Sequence, residues 1–223
     1  MPATDLRRRG IPDATVARLP AYLRVLDAMA ANGVGSTSSE ALAAAAGVRP
    51  AKLRKDLSHL GTYGVRGVGY EVASLSLHIA RALGVAREWR VVIVGIGNLG
   101  RALAGHAGLT SGGFAVAGLY DHDPEIVGQQ VAGRVVEPMS ALADLTAGAD
   151  VIGVIAAPAA AAQEIADALV IAGVTSILSF AGATVAAPAG VDIRGVDVTT
   201  ELRILAFRKQ RREAEMDLVE AVP

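Results

Sequence analysis

The sequence predicts an α/β protein of two domains, a small helical one followed by a parallel sheet with helices on both faces. Three observations predict it. Val91-Val92-Ile93-Val94 is a continuous β-branched run, as expected of a strand buried on both faces. Strand-like runs recur at residues 114–120, 151–156, 176–180 and 191–196, with helical stretches at 99–107, 140–147 and 160–172 separating most of them, an alternation that builds a parallel sheet. Before residue 85, apolar residues recur at helical spacing instead.

In chain order, residues 1–10 form an arginine-bearing flexible arm. Pro12 suits a first helical turn, and Val16, Leu19, Leu23, Leu26 and Met29 predict a helix that kinks near Pro20 and stops at Gly33. A second helix follows the 36–40 run. Thr37 and Glu40 have capping-box spacing, and Ser38 is the other candidate cap. This helix breaks at Gly47. A third spans residues 50–60, with Leu53, Leu57 and Leu60 on one face and Lys52, Arg54, Lys55, Ser58 and His59 largely opposite. The glycine-rich stretch 61–72 predicts a short hairpin, and a helix over 74–83 closes the first domain, assigned to 11–84. The second domain is assigned to 85–198. A last helix starts near Thr199 or Thr200, covers 199–223 and is expected to fray in its charged later half.

Composition narrows the function. There are no cysteines, which excludes disulfides, thiolate metal sites and cysteine nucleophiles. MPATDLRRRGIPD has arginines but no apolar run behind them, and the longest apolar stretch, 151–162, is interrupted by Pro158; a soluble, cytoplasmic protein without a membrane span is expected. Charge is uneven. Residues 1–84 hold 11 Lys and Arg against 6 Asp and Glu, a net of +5, whereas residues 85–223 hold 10 against 16, a net of −6. A basic first third points to an anionic partner.

Gly95-Ile96-Gly97-Asn98-Leu99-Gly100 is a GxGxxG motif set between the first strand and a helix, the context that makes it a dinucleotide-binding turn and the second domain a Rossmann domain. Gly95 makes the turn, Gly97 admits a pyrophosphate, Gly100 lets helix and strand pack closely, and the helix N-terminus faces the phosphates. At the end of the second strand, Tyr120, Asp121 and His122 are candidate contacts. Asp121, 21 residues after Gly100, is placed to accept the adenosine ribose hydroxyls and to repel a 2′-phosphate, favouring NAD(H) over NADP(H), with Asp123 as the alternative carboxylate.

In the first domain, Ala43 lies four residues before Gly47 and Leu53 six after it, the small residue, turn and apolar anchor of a helix-turn-helix. Helix 50–60 is then the recognition helix, with Lys52, Arg54, Lys55 and Ser58 available to DNA, and the 61–70 hairpin is a wing carrying Arg66.

Several segments together carry a family resemblance. They are Ile11-Pro12-Asp13-Ala14-Thr15, Arg18-Leu19-Pro20-Ala21-Tyr22, Ser38-Ser39, Arg54-Lys55-Asp56-Leu57-Ser58, Gly64-Val65-Arg66-Gly67-Val68-Gly69-Tyr70, Gly97-Asn98-Leu99-Gly100, Asp121-His122-Asp123-Pro124, Pro158 with Ala162-Gln163, Val196-Asp197-Val198 and Glu201-Leu202. The chain closely resembles the Rex family of redox-sensing transcriptional repressors, over nearly its whole length. The resemblance implies a homodimer with an exchanged C-terminal helix, binding to a palindromic double-stranded operator, and release when NADH closes the dimer, NAD⁺ competing weakly. It adds Ser38 and Ser39 to the DNA face, Ala157, Pro158, Ser179, Phe180 and His106 to the cofactor pocket, and Arg18 with Asp197 as a pair that changes partners between states. Where the family often has a tyrosine this chain has His106, and Ser179-Phe180-Ala181-Gly182 replaces the usual Asn-Phe-Ala-Pro. An apolar wall such as Phe180, with no carboxylate near the ring, disfavours the nicotinamide cation. A dehydrogenase would need a proton donor there; of the four histidines, His59, His78, His106 and His122, only His106 is suitably placed, and no lysine lies between Lys55 and Lys209. No catalytic residue and no metal ligand is expected.

Overall fold

The computed structural model describes residues 10–61, 63–64, 69–144 and 150–220. Most of the arm and the wing tip with Arg66 therefore lie outside the described residues. The chain divides into two compact units, Met1–Glu88 and Trp89–Pro223.

The first unit begins with two helices, α1 (Asp13–Val16) and α2 (Leu19–Ala31). The expected kink is a break instead. Proline lacks the N–H that a helix interior needs but fits the first turn, and Pro20 stands in the first turn of α2. Strand β1 (Ser36–Thr37) precedes α3 (Ser39–Ala45) and α4 (Pro50–Ser58). Of the two candidate caps it is Ser38 that acts, its Oγ accepting the Ala41 N–H at 3.1 Å. Gly47, at φ +68, makes the turn between α3 and α4. Strand β2 (Tyr70–Glu71) pairs antiparallel with β1, and the rest of the hairpin expected over 61–72 lies largely outside the described residues. Helix α5 (Val72–Leu83) starts earlier than the periodicity suggests because the Glu71 carboxylate caps it, accepting Ala73 N–H at 3.2 Å and Ser74 N–H at 2.7 Å. Leu19, Tyr22, Leu26, Leu42, Leu53, Leu57, Leu75 and Ile79 form one buried cluster, so α4 is held by its leucine face with its basic face outward.

The second unit is a seven-stranded sheet. Its strands are β3 (Trp89–Val94), β4 (Phe114–Asp121), β5 (Gln130–Val131), β6 (Arg134–Pro138), β7 (Val151–Ile155), β8 (Ser176–Ser179) and β9 (Asp192–Gly195). Their order is β5-β6-β4-β3-β7-β8-β9, with all neighbours parallel except β5 and β6. Without β5 this is the doubly wound order, reversing between β3 and β7. Val92 and Val94 of β3 enter one apolar cluster while Val91 and Ile93 enter another, one on each face. Helices α6 (Asn98–Ala104) and α7 (Ala107–Ser111) replace the single helix expected over 99–107. The 140–147 stretch forms a 3₁₀ turn over Met139–Asp144 as far as it is described, and α8 (Ala162–Ile171) follows another at Ala159–Ala161.

Helix α9 (Val198–Glu220) runs unbroken through its charged half, where fraying was expected. Lys209–Glu213 at 3.6 Å and Arg211–Glu215 at 3.4 Å supply i,i+4 support there. Every residue from 198 to 213 is exposed, including Val198, Leu202, Leu205 and Phe207, so α9 carries large apolar side chains that no described residue covers. No helix among the described residues is long and apolar enough to cross a membrane.

Candidate functional site

Two sites emerge, one in each unit. In the second unit, the turn after β3 lies at the sheet's switch point, where open α/β sheets place their ligands. Gly95 has φ +93, and a Cβ there would stand 2.9 Å from the backbone of Ala156 and Ala157, so the turns after β3 and β7 touch main chain to main chain. A Cβ on Gly100 would collide with the Gly95 carbonyl oxygen. Gly97 differs: an added Cβ would meet no protein atom within 4 Å. The motif therefore uses two glycines for its own packing and leaves the third facing open space at the start of α6, as a bound pyrophosphate requires.

Asp121 is 4% exposed and anchors this turn. Its Oδ2 accepts the Ile96 N–H at 2.6 Å and its Oδ1 the Asp123 N–H at 2.9 Å, while His122 Nδ1 lies 3.4 Å from Oδ1 on an exposed ring. One lone pair on each carboxylate oxygen is thus committed to backbone, leaving acceptor capacity for hydroxyl donors. Asp123, the alternative, accepts the Glu125 N–H at 2.9 Å and is half-exposed.

The other candidates separate by burial. Ile96 is fully buried and packs in the core, so its backbone is the functional part. Tyr120 is corrected to a core residue. Its ring folds back over Gly118, where a Cβ would stand 2.7 Å from it, and burial pushes its phenol up. Asn98 and Leu99 open α6 and are exposed. Ala157 is half-buried, and exposed Pro158 precedes the 3₁₀ turn. Ser179, 2% exposed, ends β8 and accepts the Ala181 N–H at 3.4 Å; Phe180 N–H donates to Ile155 O at 2.9 Å. His106 is exposed at the start of α7, its ring covering Gly108. Gln163 has a structural part. Its amide clamps Ala186, accepting that residue's N–H at 2.9 Å and donating to its carbonyl at 3.0 Å, and so fixes the loop after β8.

In the first unit, Lys52, Arg54, Lys55 and Ser58 are all exposed on α4. The Ser58 hydroxyl is turned inward, donating to Lys55 O at 2.7 Å. Arg54 Nη1 donates to Ser39 Oγ and Glu40 Oε1, each at 3.0 Å. Ser38 spends its hydroxyl on the α3 cap.

Asp56, which no motif marks as a site residue, is the common acceptor of this unit. It is 1% exposed on α4 and accepts from four groups: Arg18 Nε and Nη2, each at 2.6 Å, the Tyr22 hydroxyl at 2.8 Å and the Thr15 hydroxyl at 3.1 Å. Burial by itself would raise its pKa, but these donors outweigh burial and hold it at about 2. Burial and the bond to Asp56 push Tyr22 up to about 12. A helical wheel contains the signal, because Asp56 is three residues past Leu53 and four before Leu60, on the buried stripe. Arg18 is thus engaged by Asp56. Asp197 caps α9, accepting Thr199 N–H at 2.9 Å and the Thr200 hydroxyl at 2.6 Å, and the Thr200 bond lowers its pKa.

Comparison with known proteins agrees with this division. A family model described as "Putative DNA-binding protein N-terminus" matches residues 10–58, and one described as "CoA binding domain" matches residues 86–183. The redox-sensing transcriptional repressor Rex of Streptomyces avermitilis is 56% identical, over 100% of this chain and 88% of the relative. That of Streptomyces coelicolor is 57% identical over 96% and 83%, and that of Desulfitobacterium hafniense 42% identical over 92% and 98%. The solved structure of RSP in complex with beta-NAD+ and operator DNA matches with a TM-score of 0.85 at 29% identity, covering 96% of this chain and 99% of that one. RSP in complex with beta-NADH matches at 0.81 and 29%, covering 93% and 98%.

Proposed function

The chain belongs to the Rex family of redox-sensing transcriptional repressors, which are regulators and not enzymes, and from that premise we propose that it grips a palindromic operator as a homodimer and lets go once its second unit holds NADH. The observation that carries the reading is the open backbone at Gly97, framed by Gly95, Gly100 and the Asp121 anchor, in a chain whose α4 presents Lys52, Arg54 and Lys55 to solvent. Gly97, Asn98 and Leu99 would face the pyrophosphate. Asp121, with His122 beside it, would face the adenosine ribose, and Ala157, Pro158, Ser179, Phe180 and His106 would line the nicotinamide end. A carboxylate at the ribose disfavours a 2′-phosphate, and equally the ribose phosphate of coenzyme A. Arg66 on the wing would join the α4 residues at DNA. A cytoplasmic location follows from the role.

Exposed Val198, Leu202, Leu205 and Phe207 on α9 support dimerisation through that helix. Replacing both Leu202 and Leu205 by Glu is expected to yield monomers by light scattering and to weaken operator binding at least tenfold; an unchanged dimer overturns the assignment. The two halves of the proposed switch, Arg18 and Asp197, now hold Asp56 and the start of α9 respectively, so an exchange of partners would act on both α4 and α9.

The test uses a duplex selected on this chain from a randomised pool, labelled for fluorescence anisotropy and titrated separately with NADH, NAD⁺, NADPH and coenzyme A. NADH is expected to release DNA at the lowest concentration, with NAD⁺ weaker and the phosphorylated ligands weakest. DNA retained at saturating NADH overturns the sensor reading. Equal potency of NADH and NADPH overturns the role of Asp121.

A further inference from the structure

The bonds around Arg54 point to a role for Glu40 other than the helix cap its spacing from Thr37 suggests. Arg54 Nη1 donates to Ser39 Oγ and to Glu40 Oε1, each at 3.0 Å, and the Ser39 hydroxyl donates to the same Glu40 oxygen at 3.1 Å. Both Nη1 hydrogens are thereby engaged. The Glu40 carboxyl is held below its usual range by its own backbone N–H and by the Ser39 hydroxyl, so it is charged when it takes the guanidinium. Ser39 and Glu40 sit in the first turn of α3, and Arg54 on the exposed face of α4.

The pair does not exist for stability. Arg54 and Glu40 are 52% and 66% exposed, and exposed ion pairs contribute little to folding. Its consequence is orientation. A guanidinium has five donors in a planar fork, and fixing Nη1 leaves Nε and Nη2 as one free edge. Two parallel N–H groups of that kind match the O6 and N7 acceptors of guanine in the major groove. Holding a long side chain in one rotamer beforehand also removes an ordering cost that binding would otherwise meet.

We infer that Glu40, with Ser39, is a positioning residue that buttresses Arg54 so that its Nε–Nη2 edge reads one guanine in each operator half-site. This rests on the DNA-binding reading above. Its charge lies on the same surface as Arg54, so Glu40 also repels phosphate and holds down binding to random DNA. Removing it therefore lowers specificity without lowering affinity for DNA in general, which loss of a simple phosphate contact cannot do.

The experiment measures operator, single-base-substituted operator and random duplex binding for wild type, Glu40→Ala, Glu40→Gln, Arg54→Ala and the Glu40→Ala/Arg54→Ala double variant, with thermal unfolding of each. Glu40→Ala is expected to lose about tenfold of the preference for guanine at one position per half-site and to bind random duplex as tightly as wild type or more so. Glu40→Gln, which keeps an acceptor oxygen, is expected to fall between. Against an Arg54→Ala background, Glu40→Ala is expected to change base preference no further, and unfolding temperatures to stay together. Full guanine preference in Glu40→Ala overturns the inference, as does an equal loss in the Arg54→Ala background. A wild-type chain that binds no duplex overturns the DNA-binding reading and takes this inference with it.

Discussion

Replacing Asp56 by alanine is expected to loosen the first unit by about 3 kcal/mol at neutral pH, a large share of the stability of a small domain. The carboxylate is the common acceptor for Arg18, Tyr22 and Thr15. Its loss strands a half-buried guanidinium and leaves two hydroxyls without their acceptor. The effect depends on pH in a determined direction. Asp56 titrates at about 2 in the folded unit, below the roughly 3.9 of an unfolded aspartate. Its contribution, ~2–3 kcal/mol by linkage, is complete above about pH 5 and disappears as pH falls towards 2. Hydrogen exchange at α2 and α4 amides, compared between wild type and Asp56→Ala at pH 7 and pH 3, should show a wide gap at the first pH and a narrower one at the second. Equal protection at pH 7 would show that the cluster does not hold α4. Because α4 carries the basic face, operator binding should fall with that protection.

The second large effect is a contrast within the glycine motif. Gly97→Val is expected to fold as wild type does, since its φ is −75° and an added Cβ meets no protein atom within 4 Å, yet to weaken NADH binding at least a hundredfold by filling the space a pyrophosphate needs. Gly100→Ala is expected to lose both stability and binding, because its Cβ meets the Gly95 carbonyl and the turn must open to admit it. Calorimetric titration with NADH and thermal unfolding separate the two. A Gly97→Val chain should also remain on its operator at NADH concentrations that release wild type. Tight NADH binding by Gly97→Val would remove the cradle from the reading.

How much of this could be read from sequence depended on whether the signal was local. Val91-Val92-Ile93-Val94, the glycine motif and Asp121 lie within a few residues of the structure they specify, and they marked the turn at the sheet's switch point. The β5–β6 hairpin was missed because its turn, Ala132-Gly133, has positive φ at both residues, 49° and 77°, with alanine where asparagine usually signals the turn. Tyr120 was placed at the cofactor because it adjoins Asp121; strand alternation sends its ring to the opposite face. The bonds Arg18–Asp56 and Arg54–Glu40 join residues 38 and 14 positions apart, from the turn before α2 to α4 and from α4 to α3, and the residues of a single chain do not announce such pairings.

The register of β3 has a further consequence. β3 can close its two edges only when β4 and β7 exist, and its β7 partners begin at Val151, 61 residues after Arg90. Long-range parallel pairings form slowly, whereas the first unit needs nothing beyond Glu88 for its own core. As a chain leaves the ribosome, its helix-turn-helix can therefore be complete before the sheet is, and for that interval no nucleotide could act on it. Helix α9 is made later still. If dimerisation waits for α9, the nascent unit grasps a single half-site at most, and translation order itself keeps immature chains from silencing a promoter.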